Sequence, residues 1–198
     1  MNLKEQTHNT YKTSAEQMAL RYNKIGARIE DIEEVFSLIK KVNPSIIEIG
    51  CGNGRDAEII LKHTNDYLGI DISDKFISMA QEKNPLGKFQ LTDIEEFKFQ
   101  NNRDIIFAFA SLVHTPKEIL HNIFNKIYES LSENGLFRLS LKYNNSYQEH
   151  TNEDEFGTRT YYHYSQREID EIQGNFKTIK NEVVYSVGQE WIEIIFQK

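Results

Sequence analysis

Residues 45–54 read Ser-Ile-Ile-Glu-Ile-Gly-Cys-Gly-Asn-Gly, a short apolar run that ends in glycines at 50, 52 and 54. Apolar runs of this length predict a buried strand, and glycines directly after it let the backbone turn sharply with no Cβ in the way. Asp56 to Lys62 then has a helical pattern. Downstream, Tyr67–Ile70, Lys88–Leu91, Ile105–Ala110 and Leu136–Leu141 read as further strands, with helical patterns at Lys75–Glu82 and Lys117–Leu131 between them. Alternation of strand and helix requires right-handed crossovers, which give a mostly parallel, doubly wound α/β sheet of Rossmann-like type covered on both faces. Gly135 lies just beyond the last of these helices, where a left-handed cap is expected.

Upstream, Ile25, Ile29, Ile32, Phe36 and Ile39 recur at helical spacing and predict one amphipathic helix that Asn43-Pro44 ends. Downstream, Lys142 to His163 is rich in Asn, Glu, Thr and Tyr without clear periodicity and reads as a long loop. A helix at Gln166–Ile172 follows, and the β-rich runs Lys177–Val187 and Glu190–Phe196, parted by Gly188-Gln189, predict an antiparallel C-terminal hairpin. The expectation is a single domain over 1–198, with an N-terminal helical segment (1–42), a ligand-binding core (45–142) and a loop, helix and hairpin on the acceptor side (143–198).

The chain of 198 residues is 39% apolar, which supplies one core. A net charge of -7 argues against bare nucleic acid or an anionic membrane as partner. One cysteine, Cys51, excludes an internal disulfide, and the six histidines show no pairing at metal-ligand spacing, so no metal site is expected. The N-terminal residues lack an apolar stretch, and a cytoplasmic protein is the expectation.

A glycine turn between a buried strand and a helix occupies the crevice of a doubly wound sheet, where it can hold a dinucleotide or a nucleoside such as S-adenosylmethionine. Arg55 stands where a dinucleotide fingerprint starting at Gly50 needs a third glycine, and Glu48 puts an acid where a pyrophosphate is repelled and an amino group is welcome. Asp71, after Tyr67-Leu68-Gly69-Ile70, can accept hydrogen bonds from both ribose hydroxyls. Asp93, in Leu91-Thr92-Asp93-Ile94, falls where an adenine amino group would lie, with Ile72 and Ile94 on either side of the ring. The expected cofactor contacts are therefore Glu48, Gly50, Cys51, Gly52, Asn53, Asp71, Ile72, Asp93, Ile94 and Ser111. Each has a plainer reading as a turn former, cap or core residue.

With these residues in order, the chain resembles the class I S-adenosylmethionine-dependent methyltransferases from about Ile25 onward. The resemblance rests on EIGCGNG (48–54), GIDIS (69–73), LTDIEEF (91–97), DIIFAFASLVH (104–114) and LSENGLFRLSLK (131–142). It implies a seven-stranded sheet whose last strand is inserted antiparallel, S-adenosylmethionine as cofactor, and methyl transfer. The pattern SLK, an acidic loop, GTRTYYHYSQREI and a late Trp-Ile also resembles a subgroup of small single-domain bacterial methyltransferases.

The acceptor reads as an unidentified small molecule offering O, N or S. His114, just after the fourth strand, is the candidate general base, with the alternative that it packs against the helix near Pro116. Lys142, Arg159, Tyr161 and Tyr162, together with Tyr164, are candidates for holding the acceptor, against a plainer role as solvated or paired loop residues. Tyr11 and Tyr22 either close over the cofactor or pack on the sheet edge. The segment Ala110-Ser111-Leu112-Val113-His114 lacks the Asp/Asn-Pro-Pro-aromatic signature of amino-directed nucleic-acid methyltransferases. A non-catalytic module that binds S-adenosylmethionine or its demethylated product is the alternative function, and oligomeric state is left open.

Overall fold

A computed structural model describes residues 2–198. Helices α1 (Leu3–Thr13), α2 (Ala15–Ile25) and α3 (Ile29–Leu38) precede β1 (Ile46–Ile49), α4 (Ala57–Ile60), β2 (Tyr67–Asp71), α5 (Asp74–Lys83), β3 (Lys88–Leu91) and β4 (Arg103–Phe109). A 3-10 turn at Leu112–His114, α6 (Lys117–Ser130), β5 (Leu131–Tyr143), β6 (Gln148–Asp154), β7 (Gly157–Tyr164), α7 (Gln166–Ile172), β8 (Lys177–Ser186) and β9 (Gln189–Gln197) complete the chain.

The strands form one nine-stranded sheet in which β3-β2-β1-β4-β5 run parallel. Antiparallel β9 joins the free edge of β5 and β8 joins β9, as the hairpin pattern predicts. That turn is made by Val187 and Gly188, both in the left-handed region, one residue earlier than expected. One face carries α6 and α7 over Ile47, Ile106, Phe137, Leu139 and Ile194, and the other carries α3 and α4 over Ile46, Ile105, Phe107 and Ile195. Arg138 of β5 is fully buried on the second face, where its guanidinium meets Asp31 of α3 and Glu193 of β9.

Four sequence expectations are corrected. The segment Lys142–His163 holds a hairpin, β6–β7, rather than a long loop, and the sheet therefore has nine strands where seven were expected. The alternation that marks a half-buried strand is missing because β6 is exposed along almost its whole length while β7 is buried at four consecutive positions, Arg159 to Tyr162. The single N-terminal helix is three, because Gly26 ends α2 and Ile25 and Ile29 are exposed instead of sharing a buried stripe. The expected helix Asp56–Lys62 shrinks to α4, since the Asp56 carboxylate is committed to Arg55 and the Arg28 N–H and does not cap it. The left-handed residue after α6 is Asn134 rather than Gly135. Gly135 is needed for space, as a Cβ there would stand 2.9 Å from the Ser132 carbonyl oxygen.

The turn after β1 does form as the glycines require. Gly50 and Gly52 have φ of 71° and 54°, and the Gly50 and Cys51 N–H groups both donate to the Ile70 carbonyl. A Cβ on Gly50 would lie 2.2 Å from Ser111 Cβ, whereas one on Gly52 would meet nothing within 4 Å. Gly50→Ala should therefore lose about 2–5 kcal/mol through left-handed strain plus overpacking, and Gly52→Ala only about 1–2 kcal/mol through strain alone. Urea unfolding of the two variants checks this. Equal losses would contradict the close approach of β1 and β4.

Candidate cofactor and acceptor site

The C-terminal ends of β1, β2, β3 and β4 open into a cavity of about 940 Å³, the size and place expected of a ligand crevice in an open α/β sheet. Its floor is the turn Gly50-Cys51-Gly52-Asn53, followed by Asp71-Ile72 and Thr92-Asp93-Ile94. Its roof comes from α1, α2 and β7. Of the expected cofactor contacts, Gly50, Cys51, Gly52, Asn53, Asp71, Ile72, Asp93, Ile94 and Ser111 all line this one space.

Asp71, at the end of β2, accepts the Gly52 N–H on Oδ2 (3.0 Å) and the Ser73 N–H on Oδ1 (2.9 Å). Each carboxylate oxygen retains a lone pair for a further donor. Burial pushes its pKa up to about 6, so it is ionised at neutral pH. Asp93 pairs with Lys4 of α1 (2.6 Å) and accepts the Glu95 N–H (3.0 Å). Burial raises the Asp93 pKa, but these donors outweigh it and hold the carboxyl below its ordinary range. Asn53 Nδ2 donates to Asn23 Oδ1 of α2 (2.9 Å). Burial holds the Cys51 thiol protonated, which makes it an inert wall and not a nucleophile.

Two neighbouring features bear on a ligand. The Ser111 hydroxyl is buried without a hydrogen-bond partner. Ala110, just before it, has φ of 51°, strained for a residue with a Cβ, and its N–H is held by Ser140 Oγ (2.9 Å). A buried orphan hydroxyl beside a strained strand end is where a ligand group restores the missing bond.

Glu48 is a correction. It points to the same sheet face as Ile46, away from the cavity, and accepts a hydrogen bond from the Tyr67 hydroxyl. Burial, with Asp56 nearby, pushes its pKa up from the ordinary carboxyl value, and its place among the Tyr67 and Asp56 side chains keeps it off the cavity lining where an amino group or a pyrophosphate would be met. Arg55 is bound bidentately to Asp56 (3.0 and 2.6 Å) and stiffens the turn.

His114 lies where the sequence places it, at the cavity end beyond β4, but it is not a free base. Its Nδ1–H donates to the Thr160 carbonyl, so Nε2 is the acceptor and takes the Tyr11 O–H at 2.8 Å. Burial lowers its pKa to about 4. Tyr11 and Tyr22 line the cavity, and burial pushes both hydroxyls upward from their ordinary value.

Among the other acceptor candidates, Tyr161 packs 4.6 Å from the His114 ring and carries the Lys142 ammonium 3.8 Å from its own centroid. Lys142 Nζ also donates to Gln189 Oε1 (2.8 Å). Arg159 pairs with Asp154 and lies against the Tyr11 and Tyr161 rings, with its Nε–H buried and unpartnered. Tyr162 stacks with Tyr147 and reaches the cavity rim. Tyr164 instead donates its hydroxyl to the Thr115 carbonyl and belongs to the core.

Sequence reasoning missed Lys4, Thr7 and His8 on α1, Arg21 and Asn23 on α2, and Phe156 in the hairpin turn. Among the described residues no group of His, Cys, Asp and Glu is placed to hold a metal ion, and no helix is long and apolar enough to cross a membrane.

Residues 46–135 match the model of a methyltransferase domain family. A malonyl-[acyl-carrier protein] O-methyltransferase of Ilyobacter polytropus is 26% identical over 170 residues, covering 83% of this chain and 54% of that protein. The chain thus spans about half the length of that relative. Among solved structures, an S-adenosylmethionine-dependent methyltransferase from Clostridium acetobutylicum superposes with a TM-score of 0.71 at 14% identity, covering 92% of this chain and 98% of that one. A glycopeptide N-methyltransferase complexed with S-adenosylhomocysteine gives 0.69 at 11% identity, over 85% and 89%. These structures share the fold, and the domain match starts at β1 and runs through β4 to Gly135. The chain carries a methyltransferase domain over residues 46–135 and has the fold of the solved S-adenosylmethionine-dependent methyltransferases.

Proposed function

We propose that this chain binds S-adenosylmethionine in the crevice and transfers its methyl group to an O, N or S atom of a small molecule. The observation that carries the reading is Asp71. It is an ionised carboxylate on the floor of the crevice, held by the Gly52 and Ser73 N–H groups with lone pairs to spare, as binding two adjacent hydroxyls requires. In this reading Ile72 and Ile94 take the adenine, Asp93 its amino group, Asp71 the ribose, and Gly50–Asn53 with Ser111 the methionine end.

The bound cofactor supplies an already electrophilic methyl group. What remains for the protein is to align an acceptor with it and keep water out, and such alignment is worth about 7–11 kcal/mol. Tyr11, His114 and Tyr161 form a wall fixed on α1, on the 3-10 turn after β4 and on β7. His114 acts in it as a positioning residue, holding the Tyr11 hydroxyl by accepting its proton in a hydrogen bond. The net charge of -7 and the partial roof of α1, α2 and β7 over the crevice support a small acceptor over a nucleic-acid polymer.

Titration calorimetry with S-adenosylhomocysteine should show binding in the micromolar range or tighter, about -8 kcal/mol, lost on Asp71→Ala. Folded protein that gives no heat would overturn the reading. The Asp71 carboxylate also sets the sign of the pH dependence. Ribose hydroxyls donate to the ionised form, so affinity is full above pH 6 and falls as pH drops through about 6. At pH 5.5 the dissociation constant should be about fourfold weaker than at pH 7.5, half a unit below the pKa leaving roughly a quarter of the carboxyls ionised. Affinity unchanged between the two would remove Asp71 from the ribose contact.

A further inference from the structure

The acceptor end of the cavity has an unusual charge balance for a chain of net charge -7. Against the Tyr161 ring stand two cations, Lys142 and Arg159, with Arg21 nearby and paired with Glu155, and the Asp154 carboxylate is taken by Arg159. Lys142 is held by a neutral amide oxygen and an aromatic face, with no carboxylate among its contacts. Burial, then repulsion from Arg159, lowers its pKa to about 8, which still leaves it mostly cationic at neutral pH. The Arg159 Nε–H is buried with no acceptor. A half-buried ammonium without a carboxylate partner and a buried orphan guanidinium N–H beside it are unfavourable unless an anion completes them.

At the wall of Tyr11, His114 and Tyr161 no side chain among the described residues is free to remove a proton, whereas His163, its Nδ1 buried and unpartnered, lines the cavity beside Lys142. His114 has both ring nitrogens engaged, and the hydroxyls of Tyr11, Tyr22 and Tyr161 are all shifted upward by burial. An alkyl ammonium acceptor would be repelled by Lys142 and Arg159 and would need a base. An alcohol would need one too. A carboxylate needs none, since it arrives as the nucleophile.

We infer that the methyl acceptor is a carboxylate, bound by Lys142 and the Arg159 Nε–H over Tyr161 and converted to its methyl ester. This rests on the methyltransferase reading above. One carboxylate oxygen uses a lone pair to form the O–CH3 bond while the C–S bond breaks with its pair left on sulfur. The negative charge of the carboxylate and the positive charge of the sulfonium cancel, and no proton is released. A single negative charge fits the local sum of two cations and one anion, where a phosphate dianion would leave an excess. The neutral ester no longer pairs with Lys142, which favours its release.

The test incubates the full chain with methyl-labelled S-adenosylmethionine and the small-molecule fraction of a cell extract, then treats the products with mild alkali. Carboxyl methyl esters release volatile labelled methanol, whereas N-methyl, S-methyl and ether products keep their label. Alkali-volatile label is the expected result. Alkali-stable label overturns the carboxylate inference and leaves methyl transfer standing. Absence of label from a protein that binds S-adenosylhomocysteine in the calorimeter overturns both.

A second readout uses the active fraction from that extract. Lys142→Gln should raise the KM for it about ten- to a hundredfold, the range for a lost hydrogen bond to a charged group. The dissociation constant for S-adenosylhomocysteine should stay within about twofold, since Lys142 lies beyond the cofactor floor. An unchanged KM would remove Lys142 from the acceptor contact and contradict the inference, and the unchanged cofactor affinity shows that the variant is folded.

Discussion

Strand β7 has one edge paired with β6 and another that reaches β5 only at His163 and Tyr164, and the site depends on how the rest of that second edge is satisfied. An uncovered edge in a buried place leaves peptide groups without partners. Here the Thr160 N–H donates to Thr7 Oγ1 (3.0 Å), the Thr10 hydroxyl donates to the Thr158 carbonyl (2.7 Å), and His114 Nδ1–H takes the Thr160 carbonyl. Two threonines of α1 and one imidazole from the end of β4 thus substitute for a neighbouring strand. That arrangement fastens α1 and the β6–β7 hairpin over the open ends of β1, β2 and β4 and turns a crevice into a partly roofed cavity.

Several features follow from it. The imidazole that completes the edge has its tautomer fixed, which makes Nε2 the acceptor for Tyr11 and removes His114 from service as a base. With α1 in place, Lys4 reaches Asp93 and the two opposite ends of the cavity are closed by one helix. Tyr161, one residue beyond Thr160, is presented to the cavity with Lys142 on its face. The chemistry left to such a site is positioning and charge complementarity more than proton transfer. The floor is set independently, by the contact of Gly50 with Ser111 and the commitment of Asp71 to the turn it faces.

The floor was legible in the sequence because its requirements are local. Glycines at 50, 52 and 54 follow a run of apolar residues, and the acids at 71 and 93 end the next strands, so order along the chain is enough to place them. The roof was not, for physical reasons that particular residues make plain. The buried face of α1 is made of Thr7 and Thr10, not of apolar residues, so a search for hydrophobic periodicity passes over it. β7 gave no alternation because both of its faces are covered. Glu48 was misplaced because the acid precedes the turn by an even step along β1, which sends its side chain to the α3 face beside Tyr67. His114 reaches the cavity, as its position after β4 implies, but its partners Tyr11 and Thr160 are 103 and 46 residues away in sequence, and its tautomer depends on them.

The most direct test of the account is a crystal structure of the chain with S-adenosylhomocysteine. The account predicts the ribose hydroxyls on Asp71, the adenine between Ile72 and Ile94, and the sulfur facing the wall of Tyr11, His114 and Tyr161, with the Tyr11–His114–Thr160 hydrogen bonds kept. A ligand bound in the reverse direction, or outside the crevice, or with α1 displaced from β7, would contradict it.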